Sequence, residues 1–305
     1  MADNRLQSEA PARLRLGTFT PSVLLDVARE EGLLDAAAVD VVEVPVASSP
    51  AQFASLVAGD LDAVFTSPDN TIAYRFLPSN PLGRLLDIEI VQAIDRGLGL
   101  ALALRPGLAE PHPGLRFGVD VPVSGFAFVG YALLERAGLT RDDYELLTLG
   151  STPRRAAALI AGDCDATILN AGNEVRAAAA GATLVSTVTE LGPYLGTVLA
   201  RLESAPGRET VDRFAAVLRD AAAGILAGAY RARAVLAAER VLDLPRELAE
   251  RHVDVLIDPA SGLIADGSVD SAALANLVAL RRRHLPDDTL DDVDPTRLVR
   301  AGVLR

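Results

Sequence analysis

At 305 residues, half of them apolar and 23% charged, the chain is long enough for two packed domains and too apolar to be disordered. Its formal net charge is -12, every one of its 29 basic residues is arginine, and no basic block or zinc-finger spacing occurs, so nucleic acid is not an expected partner. The single cysteine, Cys164, excludes an internal disulfide and a thiolate metal site, and it reads as a small core residue.

Residues 1–12 are polar and read as loose. A first strand is expected over 13–19. An apolar helix pattern follows, with Val23, Leu24, Val27 and Leu34 on one face and Gly32 as a C-cap. The valine-rich run 39–46 is a second strand, giving a β-α-β unit with a right-handed crossover. Ser48-Ser49-Pro50 opens a helix that stops near Gly59. Residues 62–65 form a third strand, and a helix containing Tyr74 follows. Two strand-like runs occupy 84–104, the second crossing to another lobe. The pattern restarts at Leu115: strand, helix from Ser124-Gly125, strand at 144–149, helix at 151–161, strand at 166–169. Residues 183–202 hold a strand, a polar-aromatic loop at Glu190 to Tyr194 and a return strand. The remainder is helical and is expected to pack on the first lobe.

One phrase occurs twice. SPAQFASLVAGDLDA at 49–63 matches TPRRAAALIAGDCDA at 152–166, 103 residues later. The flanks match too, with Arg15-Leu16-Gly17 echoed by Arg116-Phe117-Gly118. A repeat of this length is too long for a solenoid and reads as two similar lobes, which leave a cleft for a small ligand. The expected fold class is therefore α/β: two similar lobes with mainly parallel sheets flanked by helices, a hinge between them and a helical C-terminal tail. Lobe 1 is expected to comprise 13–100 with 200–305, and lobe 2 to comprise 101–199.

In open α/β sheets, ligands bind beyond the carboxyl ends of strands. That rule selects Thr18, Phe19 and Thr20, then Ser48 and Ser49, then Ser67, Asp69 and Asn70. In the second lobe it selects Ser124, Gly125, Phe126 and Asn170, with Glu190 and Tyr194 from the polar-aromatic loop. Ser124-Gly125 exposes free N–H groups at the positive end of a helix. Asp69 and Glu190, in a chain without lysine, favour an amine, amide or heteroaromatic ligand; the Ser124-Gly125 helix start argues for an anion. Asp60, Asp62, Asp163 and Asp165 read as structural turn residues. His112 lies in a Pro/Gly loop, and His252 and His284 are expected on polar helix surfaces. Neither a catalytic residue, a metal ligand set nor a cofactor motif is found.

The texts LRLGTF, VDVVEV, SSPAQFASLVAGDLDAVFTSPDN and GLTRDDYELLTLGSTPRRAAALIAGDCDATILN together resemble the SsuA/THI5-like (NMT1-like) substrate-binding proteins of ABC importers. The resemblance spans about Arg13 to Arg300. It implies a type II periplasmic-binding fold and ligand contacts from Thr18-Phe19-Thr20, Ser48-Ser49 and Ser124-Gly125. It also implies capture of a small organic molecule between the lobes, with an ABC permease as partner. The alternative is a cytoplasmic decarboxylase, lyase or hydrolase on the same fold, acting on a small aromatic or heterocyclic compound. No membrane-spanning segment is found, and a monomer is expected, with a dimer as the alternative. With no leader pattern and no lipidation cysteine, the chain is expected to be cytoplasmic as written, or extracytoplasmic if a leader precedes it.

Overall fold

The computed structural model describes residues 10–305. The loose segment expected over 1–12 falls mainly on residues 1–9, outside the described residues, and its last residue, Ala12, already belongs to a strand.

Lobe 1 is built on β1 (Ala12–Thr18), β2 (Val39–Pro45), β3 (Ala63–Thr66), β4 (Ile88–Asp95) and β10 (Thr197–Leu202), in the order β2-β1-β3-β10-β4. Lobe 2 repeats that plan with β5 (Ala101–Leu104), β6 (Leu115–Val119), β7 (Tyr144–Thr148), β8 (Ala166–Leu169) and β9 (Thr183–Thr187), in the order β7-β6-β8-β5-β9. In each sheet the first three strands are parallel and one strand is inserted antiparallel. The inserted strand is β10 in lobe 1 and β5 in lobe 2, so each lobe takes its odd strand directly after a crossing from the other. The crossings run through 96–100 and 188–196. Every residue of β4 is buried, as a strand covered on both faces requires.

The helices of the first half are α1 (Val23–Glu30), α2 (Leu33–Ala36), α3 (Ser49–Ala58) and α4 (Pro68–Phe76). Gly32 ends α1 as the left-handed glycine just past the Glu31 cap, its N–H donating to the Arg29 carbonyl at 3.0 Å. Its φ of 70° makes a turn that restarts the chain as the short α2. Lobe 2 carries α5 (Gly125–Arg136), α6 (Thr152–Ala161) and α7 (Asn173–Ala179). Helix α7 has no counterpart in the pattern read from sequence; it is short, alanine-rich and preceded by a glycine without a capping side chain.

The repeated phrase has a shared physical basis. α3 ends at Gly59 with φ 76° and α6 ends at Gly162 with φ 80°, the left-handed C-cap that glycine adopts at no steric cost. Of the four aspartates after these caps, Asp62 and Asp165 act as the sequence suggests, and they do more. Asp62 accepts from the Arg15 backbone N–H and guanidinium, and Asp165 accepts from the same groups of Arg116. Each pair ties a helix-to-strand turn to the first strand of its lobe. Cys164 is buried, and burial pushes its thiol up to about 11, consistent with a core residue.

The C-terminal part forms α8 (Arg208–Leu226), α9 (Arg231–Val241), α10 (Arg246–Ile257) and α11 (Ser271–His284). The apolar stripes over 211–241 divide between α8 and α9, with Gly228 at φ 81° in the turn that separates them. Helices α8 to α10 share a core with β1, β2 and α1. Helix α11 goes further than the expected packing on lobe 1: it joins one continuous core with α4 of lobe 1 and α5 of lobe 2. No described helix is long and apolar enough to cross a membrane.

Candidate functional site

The cleft between the two sheets is walled by Phe19, Phe65, Phe126 and Leu98 and by Leu242, Leu256 and Leu263 from the C-terminal part of the chain. Five helices begin at its rim, and each begins with serine. Ser22, Ser48, Ser67, Ser124 and Ser151 precede α1, α3, α4, α5 and α6, and all five line the cleft. The first four serine side chains accept a hydrogen bond from their own first turn, which leaves other first-turn N–H groups free. Ser151 makes no such bond. The partial positive charge of five helix starts therefore converges on one space.

A full positive charge adds to it. Arg155, in α6, lines the cleft and is 2% exposed. Its guanidinium donates to the Ile168 carbonyl at 3.4 and 3.2 Å, to the Gly150 carbonyl at 2.6 Å and to Thr152 Oγ1 at 3.0 Å. It forms no ion pair with a described carboxylate; Asp120 is the charge that favours its protonation, against the burial that lowers it. The repeat explains how a buried arginine fits here. Its lobe 1 equivalent is Gln52, whose Nε2 donates to the Phe65 carbonyl at 3.0 Å, and Phe65 and Ile168 are themselves repeat equivalents. Both side chains tether a helix to the end of the third strand of the lobe. Only the lobe 2 tether carries charge.

The hinge end of the cleft has a different chemistry. Asp95, the last residue of β4, is fully buried. Its Oδ1 accepts from the Gly97 N–H at 2.8 Å, while its Oδ2 accepts no hydrogen bond from the described residues. Burial pushes this carboxyl up to about 6, against the opposing effects of Thr197 and the Gly97 amide. His252, from α10, is 2% exposed, lines the cleft and has an unpartnered Nδ1. Burial pushes its imidazole down to about 4, so it is neutral at pH 7. Asn170, just after β8, donates from Nδ2 to the Gly97 carbonyl at 3.1 Å. Among the described residues, no cluster of histidine, cysteine and carboxylate side chains could hold a metal ion.

A Bordetella bronchiseptica protein of 17% identity superposes with a TM-score of 0.79 over 96% of this chain and 95% of its own. The alkanesulfonate-binding protein SsuA from Xanthomonas axonopodis pv. citri, bound to MOPS, has a TM-score of 0.74 and 19% identity over 95% and 98% of the two chains. The periplasmic nitrate-binding protein NrtA from Synechocystis has a TM-score of 0.71 and 11% identity over 95% and 86%. The fold is that of the type II periplasmic binding proteins. No protein-family model matches the sequence, and no curated protein sequence matches it.

Within this binding-protein fold, ten of the residues expected at the site lie together in the cleft: Thr18, Phe19, Thr20, Ser48, Ser67, Asn70, Ser124, Gly125, Phe126 and Asn170. The other four lie elsewhere. Ser49 is buried in the first turn of α3. Asp69 is 1% exposed and is held by Arg281 of α11, through Nε–Oδ1 at 2.8 Å and Nη2–Oδ2 at 2.7 Å. Glu190 closes a capping box with Thr187 on the surface, 3.7 Å from Arg136. Tyr194 lines a separate hollow with Arg96, Pro193 and Ile264.

These placements change the charge balance. The two carboxylates that favoured an amine ligand lie outside the cleft, which is lined instead by the Arg155 guanidinium and by the carboxylates of Asp95 and Asp120. The two surface histidines are also corrected. His252 is in the cleft, and His284 is buried beside the stacked ring of Phe128 at 6.2 Å. The helix spacing carried the signal for His252, because Ala249, Val253 and Leu256 form the buried stripe of α10 and His252 falls among them. Arg155 was legible as the residue matching Gln52 in the repeat.

Proposed function

We propose that the protein is a solute-binding protein that captures a small organic anion between its lobes for an ABC importer. The observation that carries this reading is the buried Arg155 guanidinium, without a carboxylate partner, at a cleft where five serine-capped helices begin. Likeness in fold to an alkanesulfonate-binding and a nitrate-binding protein supports the same ligand charge. Capture needs no covalent step: apolar walls cover the ligand body, helix N–H groups and Arg155 hold its charge, and the ligand stabilises the bound arrangement.

A second reading, an enzyme on this fold, is favoured by Asp95 and His252, two buried groups that line the cleft with an atom unpartnered and could move a proton. A thermal-shift screen of sulfonates, carboxylates, amines and neutral aromatics, followed by mass spectrometry of each hit after incubation, separates the two. An anion that raises Tm and returns unchanged supports capture. A hit returned as a different compound supports the enzyme. Hits confined to amines and neutral compounds contradict the anion reading.

A further inference from the structure

The cleft lining holds both a cation and unpartnered acceptors. The wall can be followed along β8 and beyond it: the carbonyl of Ile168 holds Arg155, and two residues later Asn170 reaches the Gly97 carbonyl. Gly97 in turn donates to Asp95. Arg155 and the helix N-termini supply the positive part of the lining, with the Asp120 carboxylate accepting from the Ser124 hydroxyl. The wall also presents the Oδ2 of Asp95 and the Nδ1 of His252, neither with a hydrogen-bond partner among the described residues, and both side chains are almost completely buried.

A buried acceptor without a donor costs about 1–3 kcal/mol, and more when it is charged. Bulk water satisfies such atoms poorly at an apolar hinge lined by Ile94, Leu98, Leu256 and Leu263. A ligand group that donates there removes the penalty; a ligand ending in hydrocarbon leaves it in place or makes it worse. The same asymmetry makes sites built for a hydroxyl or N–H reject analogues lacking it far more strongly than apolar pockets reject an extra methylene.

We infer that the ligand is bipolar: an organic acid whose anionic group sits at Arg155 and the serine-capped helix starts, and whose far end carries a hydrogen-bond donor, an ammonium or hydroxyl, directed at Asp95 and His252. Phe19, Phe65 and Phe126 cover the carbon skeleton between the two ends. This inference rests on the anion-capture reading and adds a second specificity determinant to it. Asp95 and His252 then select among anions, while Arg155 selects for anions.

Two matched probe sets test it by titration calorimetry at pH 7.5. The first is 3-aminopropanesulfonate, propanesulfonate and propylamine; the second is 4-hydroxybenzenesulfonate, benzenesulfonate and phenol. The inference expects the bipolar member of at least one set to bind at least tenfold more tightly than the anion lacking a donor. In Asp95→Asn, which keeps an acceptor for the Gly97 N–H, the preference for 3-aminopropanesulfonate falls at least tenfold while propanesulfonate binds no more weakly than to the unaltered protein. Asp95→Leu removes the hydroxyl preference as well. Should the donor-lacking anions bind within twofold of their bipolar partners, or the preference survive both variants, the inference is overturned and anion capture stands. Should no anion bind, or should Arg155→Gln bind the anions as tightly as the unaltered protein, anion capture itself fails.

Discussion

Arg281 and Asp69, separated by 212 residues, form a bidentate ion pair buried at the junction of the two lobes. The pair belongs to three elements at once. Asp69 opens α4 of lobe 1, Arg281 comes from α11, and the guanidinium also donates to the Val123 carbonyl of lobe 2 at 3.3 Å and lies 4.9 Å above the Phe128 ring. It fixes how the lobe 2 helix start meets the lobe 1 helix start at the rim of the cleft.

Removing one member leaves a charge with no partner in a dry junction. Arg281→Met is expected to cost about 3–5 kcal/mol, the range for breaking a buried pair from one side. Arg281→Met with Asp69→Leu should recover a large part of that loss. Urea denaturation of the two variants measures both effects; equal stability of Arg281→Met and the unaltered protein would show that the pair contributes nothing.

The neighbouring contact is tighter still. A Cβ on Gly125 would stand 2.5 Å from the Asp69 Cβ, closer than non-bonded carbons approach. Gly125→Ala must push α5 away from α4, and overpacking of this kind costs about 1–3 kcal/mol. The same shift displaces the Ser124 helix start from the cleft. Ligand affinity should therefore fall together with Tm, whereas Gly138→Ala, at an open helix end, should lower Tm without altering affinity.

Arg155→Gln makes the lobe 2 tether resemble the lobe 1 tether. Gln52 shows that a glutamine in this repeat position can reach the strand carbonyl. The variant is expected to fold, to change stability by less than about 2 kcal/mol, and to lose at least tenfold in anion affinity. The contrast between stability and affinity is the readout, from denaturation and calorimetry on the same sample.

Glu174 gives a pH signature. Burial pushes its carboxyl up to about 8, from an ordinary value of 4.5, against the smaller opposing effect of the Glu174 and Gly172 backbone N–H groups. Between those values the folded protein retains a proton that the unfolded chain has lost. Stability from this group is thus complete below about pH 4.5 and is lost as pH rises towards 8. His252 acts in the opposite sense, but only between about 4 and 6.5, where its folded state binds fewer protons. Above pH 6.5 the Glu174 effect stands alone among these groups, with a slope of up to about 1.4 kcal/mol per pH unit. Denaturation between pH 6.5 and 8 should show stability falling, and Glu174→Gln should flatten the curve.

The doubled architecture was legible because the repeated turn is under local constraint. A left-handed glycine followed by an aspartate that ties back to Arg15 or Arg116 leaves little choice of residue, so the phrase persists in both lobes. Cleft residues at strand ends were legible for the same topological reason. Asp69 and Glu190 were not, because their partners, Arg281 and the backbone N–H of Thr187, are assigned by packing and turn geometry rather than by position along a strand. Asp95 and His252 were hidden differently. Asp95 ends an apolar strand at the hinge, and His252 sits on a helix of the C-terminal tail; only the folded chain brings that tail to the cleft.

On the proposed function, the cleft takes up an organic anion and holds it by the charge of Arg155. The most direct test is native mass spectrometry and calorimetry of the unaltered protein and Arg155→Gln against one panel of organic sulfonates and carboxylates. One anion per chain is expected, recovered unchanged, with at least a tenfold weaker affinity in the variant. Anion binding that is indifferent to Arg155→Gln, or a chain that takes up only cations and neutral molecules, would contradict it.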